Sequence, residues 1–390
     1  MKKCITDLDL SGKKVIIRVD FNVPIVDGVI TDDNRIKESL KTIKYAIDNN
    51  AKVIIMSHLG RIKDEKDLEK NSLRVVALRL SELLFKPVKF VEQTRGALVE
   101  DAIANMKNKD VIMLENTRFE DINNLESGND EELAKYWASL ADIFIDDAFG
   151  LVHRAHASNV GIAKYLPNAI GFLIKKELDM LMPFTNDNKR PLTILLGGSK
   201  VKDKIGLINN FINKADYIII GGGMAYTFLY VKGYNVGKSI VDMDNLEYVK
   251  KMLNEYGDKI ILPLDSVVTK DIDIKEHTIK TLPFDNDDIG VDIGPKTIEL
   301  FSKYIKDSNE VISNGPMGIF EKKEYSTGTK EILYALSNVS KVVIAGGDTA
   351  SAAINMGFKD SFTHISTGGG ASLAFLAGEH IPGIEVIDEK

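Results

Sequence analysis

The sequence predicts an α/β protein with two parallel sheets, on three observations. Short apolar runs rich in Val and Ile recur along the whole chain, each ending in glycine or a polar cluster. Most are continuous rather than alternating, the pattern of strands buried on both faces. Periodic segments separate them, and 390 residues exceed what a single core usually holds, roughly 250–300.

In the first half the expected strands are Val15–Phe21, Val53–His58, Val88–Glu92, Val111–Asn116 and Ile143–Phe149. Helices are expected over Ile36–Asn49, Asn71–Phe85 and Asp130–Leu140. Phe172–Met182 reads as an amphipathic helix, and a polar, proline-bounded linker follows at Pro183–Pro191. A domain boundary therefore falls near residues 171–190, with the helix as the connection. In the second half the strands are Thr193–Gly197, Tyr217–Gly223, Lys259–Val267, Val311–Gly315, Val342–Gly346 and Phe362–Gly368. Leu207–Ala215 and Leu246–Tyr256 fit helices between them.

Composition narrows the function. With 44% hydrophobic and 27% charged residues the chain falls in the ordinary globular class. One cysteine, Cys4, leaves no intramolecular disulfide and no cysteine-based metal site. Charge interrupts the N-terminal residues at once, unlike a signal peptide, and no apolar stretch approaches the roughly 18 residues of a membrane span. A cytoplasmic location is expected, with no membrane partner. A net charge of −7 argues against bulk affinity for nucleic acid, so any anion must be bound by local clusters.

Those clusters divide by chemistry. Eight of the nine arginines lie at or before Arg154, whereas only six of the 30 glycines lie in residues 1–150. Open parallel sheets bind ligands at the carboxyl ends of their strands. In the first half that places Arg35, Arg61, Arg118 and Arg154 with Asp20, Asn22 and His58 near one rim. Guanidinium forks suit a small, multiply anionic ligand. Arg18 is expected to be embedded in its strand. In the second half the rim carries Gly197-Gly-Ser-Lys200 with Lys204, Gly221-Gly-Gly223, Gly346-Gly-Asp348 and Gly368-Gly-Gly370. Bare backbone lets phosphate approach closely, and a helix N-terminus favours it. Glycine in these places also serves tight strand–helix packing. Lys200 and Lys204, four apart, are expected on one helix face. Asp348 is the candidate carboxylate for Mg²⁺, an ion that takes few carboxylates plus substrate phosphates.

Two decoys drop out. Gly233-Tyr-Asn-Val-Gly-Lys-Ser239 has one residue too few between its glycines for a P-loop, and no strand feeds it. His153 and His156 lack a third ligand nearby. No Ser–His–Asp or Cys–His pairing stands out, so the chemistry needs no protein nucleophile. Direct phosphoryl transfer is such chemistry, resting on positioning and charge stabilisation. The residues alone leave open another two-domain transferase for small anions, such as a carbamoyl transferase, and a two-lobed solute-binding protein.

The ordered motifs resemble the phosphoglycerate kinase family over essentially the whole chain. They are Arg18-Val-Asp-Phe-Asn-Val-Pro24, Ser57-His-Leu-Gly-Arg61, Leu114-Glu-Asn-Thr-Arg-Phe119 and Asp146-Asp-Ala-Phe-Gly150 with His153-Arg-Ala-His156. Then come Gly197-Gly-Ser-Lys-Val-Lys-Asp-Lys204, Gly221-Gly-Gly-Met-Ala225, Asn314-Gly-Pro-Met-Gly318, Gly346-Gly-Asp-Thr349 and Ser366-Thr-Gly-Gly-Gly-Ala-Ser372. The resemblance implies two Rossmann-like, doubly wound domains joined by a hinge helix and facing a central cleft. Residues 1–170 would bind 3-phosphoglycerate or 1,3-bisphosphoglycerate, with 379–390 packing back on them. Residues 171–185 would be the hinge, and 186–378 would bind ADP or ATP with Mg²⁺. The implied triose site is Asp20, Phe21, Asn22, Arg35, His58, Leu59, Gly60, Arg61, Arg118 and Arg154. The implied nucleotide site is Lys204, Gly294, Glu321, Gly346, Gly347, Asp348 and Thr349, with Asp348 toward the metal. Arg35 and Lys200, with amides near Gly347 and Gly370, would hold the phosphoryl group in transfer. A monomer is implied. The chain departs from the family at Leu151-Val152, where a Thr-Ala pair is usual, and at Ala374 and Ala377, where glutamates are common.

Overall fold

The computed structural model describes residues 1–186 and 189–390. The chain forms two compact units, Met1–Asp179 with His380–Lys390, and Met180–Glu379.

The first unit contains β1 (Lys14–Arg18), β2 (Lys52–Met56), β3 (Val88–Val91), β4 (Val111–Leu114), β5 (Ile143–Asp146) and β6 (Asn168–Ile170). They form one parallel sheet in the order β3-β4-β2-β1-β5-β6. Val15, Ile16, Ile17, Val53, Ile54 and Ile55 are fully buried, as unbroken apolar strands require. One face packs on a core that includes Trp137, Phe144 and Leu133. The helix Glu131–Ser139 beneath it starts where the Asp130 carboxylate accepts the Leu133 amide at 2.9 Å. Strand β6 was not anticipated. It is three residues long, begins with a polar Asn, and follows Pro167, so it carries no apolar run. Residues His380–Lys390 belong to this unit: the Lys390 amide donates to Met1 O at 2.9 Å and Lys2 pairs with Glu389.

The second unit contains β7 (Leu192–Leu196), β8 (Tyr217–Ile220), β9 (Ile260–Ile261), β10 (Asp265–Thr269), β11 (Thr278–Thr281), β12 (Ile289–Ile293), β13 (Glu310–Asn314), β14 (Lys341–Ala345) and β15 (His364–Ile365). A parallel sheet runs β9-β8-β7-β13-β14-β15. A separate antiparallel sheet runs β11-β10-β12. The single strand expected over Lys259–Val267 is therefore two strands in different sheets. Pro263 divides them, because it has no N–H to give a ladder. Strands β11 and β12 escaped the sequence reading because β11 is largely exposed and polar and β12 is interrupted by Gly290.

The connecting helix spans Phe172–Asn186 and runs through Pro183, so the expected linker begins later than Pro183. Leu181 and Phe184 are fully buried, and that burial holds the last turns helical despite the proline. Asp187 and Asn188 of that linker lie outside the described residues. Among the described residues no helix is long and apolar enough to cross a membrane.

Candidate active site

At the carboxyl end of β1 the chain leaves the sheet through Asp20, Phe21 and Asn22. Asp20 forms an ion pair with Arg35 and lies 4.0 Å from His58 Nε2. Burial opposes its ionisation, but the Arg35 and Arg18 cations work against it, and the carboxyl is held below its usual range. Arg18, fully buried in β1 as expected, donates from Nη2 to His58 Nδ1 at 3.2 Å. Burial pushes His58 down to about 3, and the Arg18 and Arg118 cations add to that against the pull of Asp20, so the ring is neutral at physiological pH.

The loop after β2 is locked onto the same rim. Asn22 Oδ1 accepts the Gly60 amide at 2.9 Å, and Arg118 Nη1 donates to Gly60 O. Phe21 and Leu59 are buried, and their amides are engaged by Ser57 Oγ and Asn116 Oδ1. They fix the loops rather than offer a donor.

Arg61, Arg118 and Arg154 line one concavity of about 260 Å³, together with Lys63, Asp121, Asn124 and Ser127. Arg118 Nε is buried there and has no hydrogen-bond partner among the described residues. Burial, with the Arg18 and Arg154 cations, presses the Arg118 pKa down against Asp121. Like charges gathered this way are relieved by a bound anion. Arg35 does not line this concavity; it stands with Asp20, and the Asn22–Gly60 bond ties the two groups together. Lys63, Asn124 and Ser127 were missed. Lys63, two residues past Arg61, was within reach of the motif; the other two sit in a turn that no strand announces.

In the second unit the ends of β7, β8, β13 and β14 meet through backbone. The Gly197 amide donates to Asn314 O at 2.9 Å, and the Gly198 amide to Pro316 O at 2.9 Å. Gly315 has φ +98°, and a Cβ there would stand 2.2 Å from Gly197 O. Thr349 Oγ1 accepts the Gly315 amide at 2.6 Å, joining the loops after β13 and β14. Lys204 donates to Asn314 Oδ1, while Asn314 Nδ2 donates to Ala345 O at 2.6 Å. Asn314 opens a motif that the sequence had shown, but its role in holding Lys204 was not read. Burial lowers the Lys204 pKa, against Asp203 and Asp348.

The expectation that Lys200 and Lys204 share a helix face fails. The helical turn begins at Lys202, and Lys200 stands exposed in the preceding loop. Gly198 at φ +89° turns the chain, and fully buried Val201 pins it before the helix can start. Asp348 is exposed in the first turn of the helix Gly347–Asn355, whose Gly347 has open space where a Cβ would stand. Gly370 begins the helix Gly370–Leu376. Glu321 is exposed after the Asn314–Phe320 loop. Gly294 is buried at the start of the helix Pro295–Lys306, where a Cβ would meet the Asp265 carboxylate. A roomier concavity, about 790 Å³, lies elsewhere among Leu229, Tyr234, Leu253 and Ile260, and no predicted residue lines it. The smaller hollow gathers the arginines; the larger one gathers none of the predicted residues.

The phosphoglycerate kinase family model matches residues 5–379. The chain belongs to the phosphoglycerate kinase family. It is 52% identical to the phosphoglycerate kinase of Enterococcus faecalis over 395 residues, covering 100% of both chains. It is likewise 52% identical to that of Fusobacterium nucleatum over 398 residues, with 100% of both covered. The solved phosphoglycerate kinase from Coxiella burnetii superposes with a TM-score of 0.87 at 35% identity, over 99% of this chain and 98% of that one. The Pyrococcus horikoshii enzyme gives 0.86 at 32%, over the same shares. The chain is thus a phosphotransferase. Its glycolytic reaction passes a phosphoryl group between 1,3-bisphosphoglycerate and ADP, giving 3-phosphoglycerate and ATP.

Proposed function

We propose that the two units divide this reaction: the first grips the triose and the second seats the Mg-nucleotide. The observation that carries it is the convergence of Arg61, Arg118 and Arg154 on one hollow, with a buried Arg118 donor left over. A phosphate takes that donor and neutralises the cations. Asp20, Asn22, Arg35 and His58 then orient the carboxylate end, on loops that Phe21, Leu59 and Gly60 hold in place. On the second unit Lys204, Gly346, Gly347 and Thr349 cradle the nucleotide phosphates, with Glu321 toward the ribose and Gly294 toward the base side.

Asp348 fits Mg²⁺. Among the described residues no three His, Cys, Asp or Glu side chains gather to hold a metal, so a resident all-protein site is not built. One exposed carboxylate beside a phosphate cradle is what a nucleotide-borne Mg²⁺ takes. When bound, the ion neutralises phosphate charge. Lys200, exposed on its loop, and Arg35 hold the transferring phosphoryl group, assisted by amides at Gly347 and Gly370. Because the ligands sit on different units, transfer requires bringing them together and keeping water away from the acyl phosphate. The helix Phe172–Asn186 joins the two units and serves as the hinge. The enzyme works as a cytoplasmic monomer in this reading, and buried Cys4 is a free thiol consistent with a reducing compartment.

Isothermal titration of Arg61→Ala tests the division. Arg61 is exposed, so folding is unaffected. Affinity for 3-phosphoglycerate should fall about tenfold or more, with Mg-ATP affinity unchanged. An unaltered triose affinity removes Arg61 from the site.

A further inference from the structure

Behind the triose face lies a fully buried carboxylate with no place in the mechanism so far. Glu126 sits in a turn, distant in sequence from the strand ends, and is 0% exposed. Its Oε1 accepts the Ser158 hydroxyl at 2.5 Å and its Oε2 the Ser158 amide at 2.9 Å. The same Ser158 oxygen accepts Arg18 Nε at 2.8 Å. The hydroxyl is therefore a one-way bridge: its proton goes to Glu126, and its lone pair receives the guanidinium. Arg18 Nη2 also stands 3.8 Å from Glu126 Oε1 and reaches His58 Nδ1 at 3.2 Å. A guanidinium only donates, so His58 Nδ1 must accept, and the ring proton must sit on Nε2. That nitrogen lies 4.0 Å from Asp20 Oδ1.

We infer that Glu126 is a positioning residue for the triose site: through Ser158 and Arg18 it fixes His58 as the tautomer with its proton on Nε2, presented on the side of Asp20. The inference rests on the reading that His58 and Asp20 contact the triose. The physical reason is charge. A guanidinium buried without a counter-ion would turn toward other carboxylates, here Asp146 and Asp20, and release Nδ1. Glu126 supplies that counter-ion, 3.8 Å from the same Nη2 that reaches His58. His156, 3.7 Å from Glu126, completes the group around it.

The test is ¹⁵N NMR of the histidine rings in the ligand-free protein, followed by kinetics. Wild-type His58 should show protonated Nε2 and bare Nδ1. In Glu126→Gln, which keeps the shape and removes the charge, His58 should become a tautomer mixture. The KM for 3-phosphoglycerate should rise about ten- to a hundredfold while the KM for ATP stays unchanged. A purely structural role would shift stability but would not move the tautomer of a folded variant or split the two KM values. Should Glu126→Gln fail to fold, Ser158→Ala removes the bridge alone and should show the same change to a smaller degree. A wild-type ring protonated on Nδ1 overturns the proposal, and so does an unchanged His58 ring in whichever variant folds. A normal triose KM in His58→Ala would instead overturn the substrate-site reading. The tautomer measurement, made without substrate, would still decide the link to Glu126.

Discussion

In the first unit the site residues are aimed mainly by other side chains, whereas in the second the turns that carry them are joined mainly by backbone. Asp20 is set by Arg35, His58 by Arg18, and Arg118 by a carbonyl at one end and Asp121 near the other. Lys204 and Asp348 stand on helical turns that follow the glycine loops, whose peptide groups interlock with their neighbours, Gly197 with Asn314 and Gly198 with Pro316, while Asn314 Oδ1 adds a side-chain hold on Lys204. The difference shows what each ligand demands. A small acid is recognised by directed charges, which must be aimed. A row of phosphates is recognised by N–H groups, which need only an open, rigid turn.

The largest expected effect separates chemistry from support. Lys200 is exposed on its loop, so Lys200→Ala should leave the melting temperature and nucleotide affinity in place. Its kcat should nevertheless fall about a hundred- to a thousandfold, as when a preorganised charge is removed from a transferring group. Single-turnover kinetics with a nucleotide-binding control checks both halves. An unchanged kcat would refute its role.

A pair of glycines sharpens the contrast between side-chain and backbone support. A Cβ at Gly315 meets main chain, Gly197 O at 2.2 Å, at φ +98°. A Cβ at Gly150 meets a side chain, Asp20 Oδ2 at 2.4 Å. Gly315→Ala should therefore cost about 3 kcal/mol of stability or more, since neither the strain nor the clash can relax. Gly150→Ala should cost less stability but raise the triose KM, because Asp20 moves off Arg35. Urea melts alongside substrate titrations measure this. Equal stability losses would show that the two rims are supported alike.

The same contrast explains what could be read from the sequence. Apart from β6, the strand ends of the two parallel sheets announced themselves by apolar runs, and with them came the arginines and the glycine turns. Glu126 and Ser158 did not, because their importance lies in burial beside Arg18, across 108 and 140 residues of sequence respectively, and no local pattern encodes that. Lys200 was placed on a helix because spacing by four is the helical signal. The glycine turn and the buried Val201 beside it delay the helix, which only the folded chain shows. The antiparallel strands β11 and β12 were hidden for other reasons: β11 is largely exposed and needs no apolar run, and Gly290 interrupts the short run of β12.

Buried carboxylates give the smallest and most even-handed effect. Asp147 is fully buried and caps the first turn of Phe172–Asn186, accepting the Leu173 amide at 2.8 Å and the Ile174 amide at 3.2 Å. Burial pushes its carboxyl up to about 8, against the hydrogen bonds from Thr42, Ile174 and Leu173. In the second unit Asp292 accepts the Gly328 amide at 2.7 Å and is pushed by burial up to about 7. For both, the folded state binds the proton more tightly than the unfolded chain. Their contribution is thus full below the unfolded pKa near 3.8 and is lost as pH rises through about 7–8. Glu126 runs the other way: burial opposes its charge, but His156, Arg18 and Ser158 hold it down to about 2, so its contribution is lost only in acid. Asp147→Asn and Asp292→Asn should each flatten the fall in melting temperature between pH 5 and pH 8 by a few degrees, on the scale of about 1 kcal/mol. A flattening confined to one variant would mean that the two units do not share this proton linkage, and that the carboxylate in the other is ionised in the folded state throughout the range.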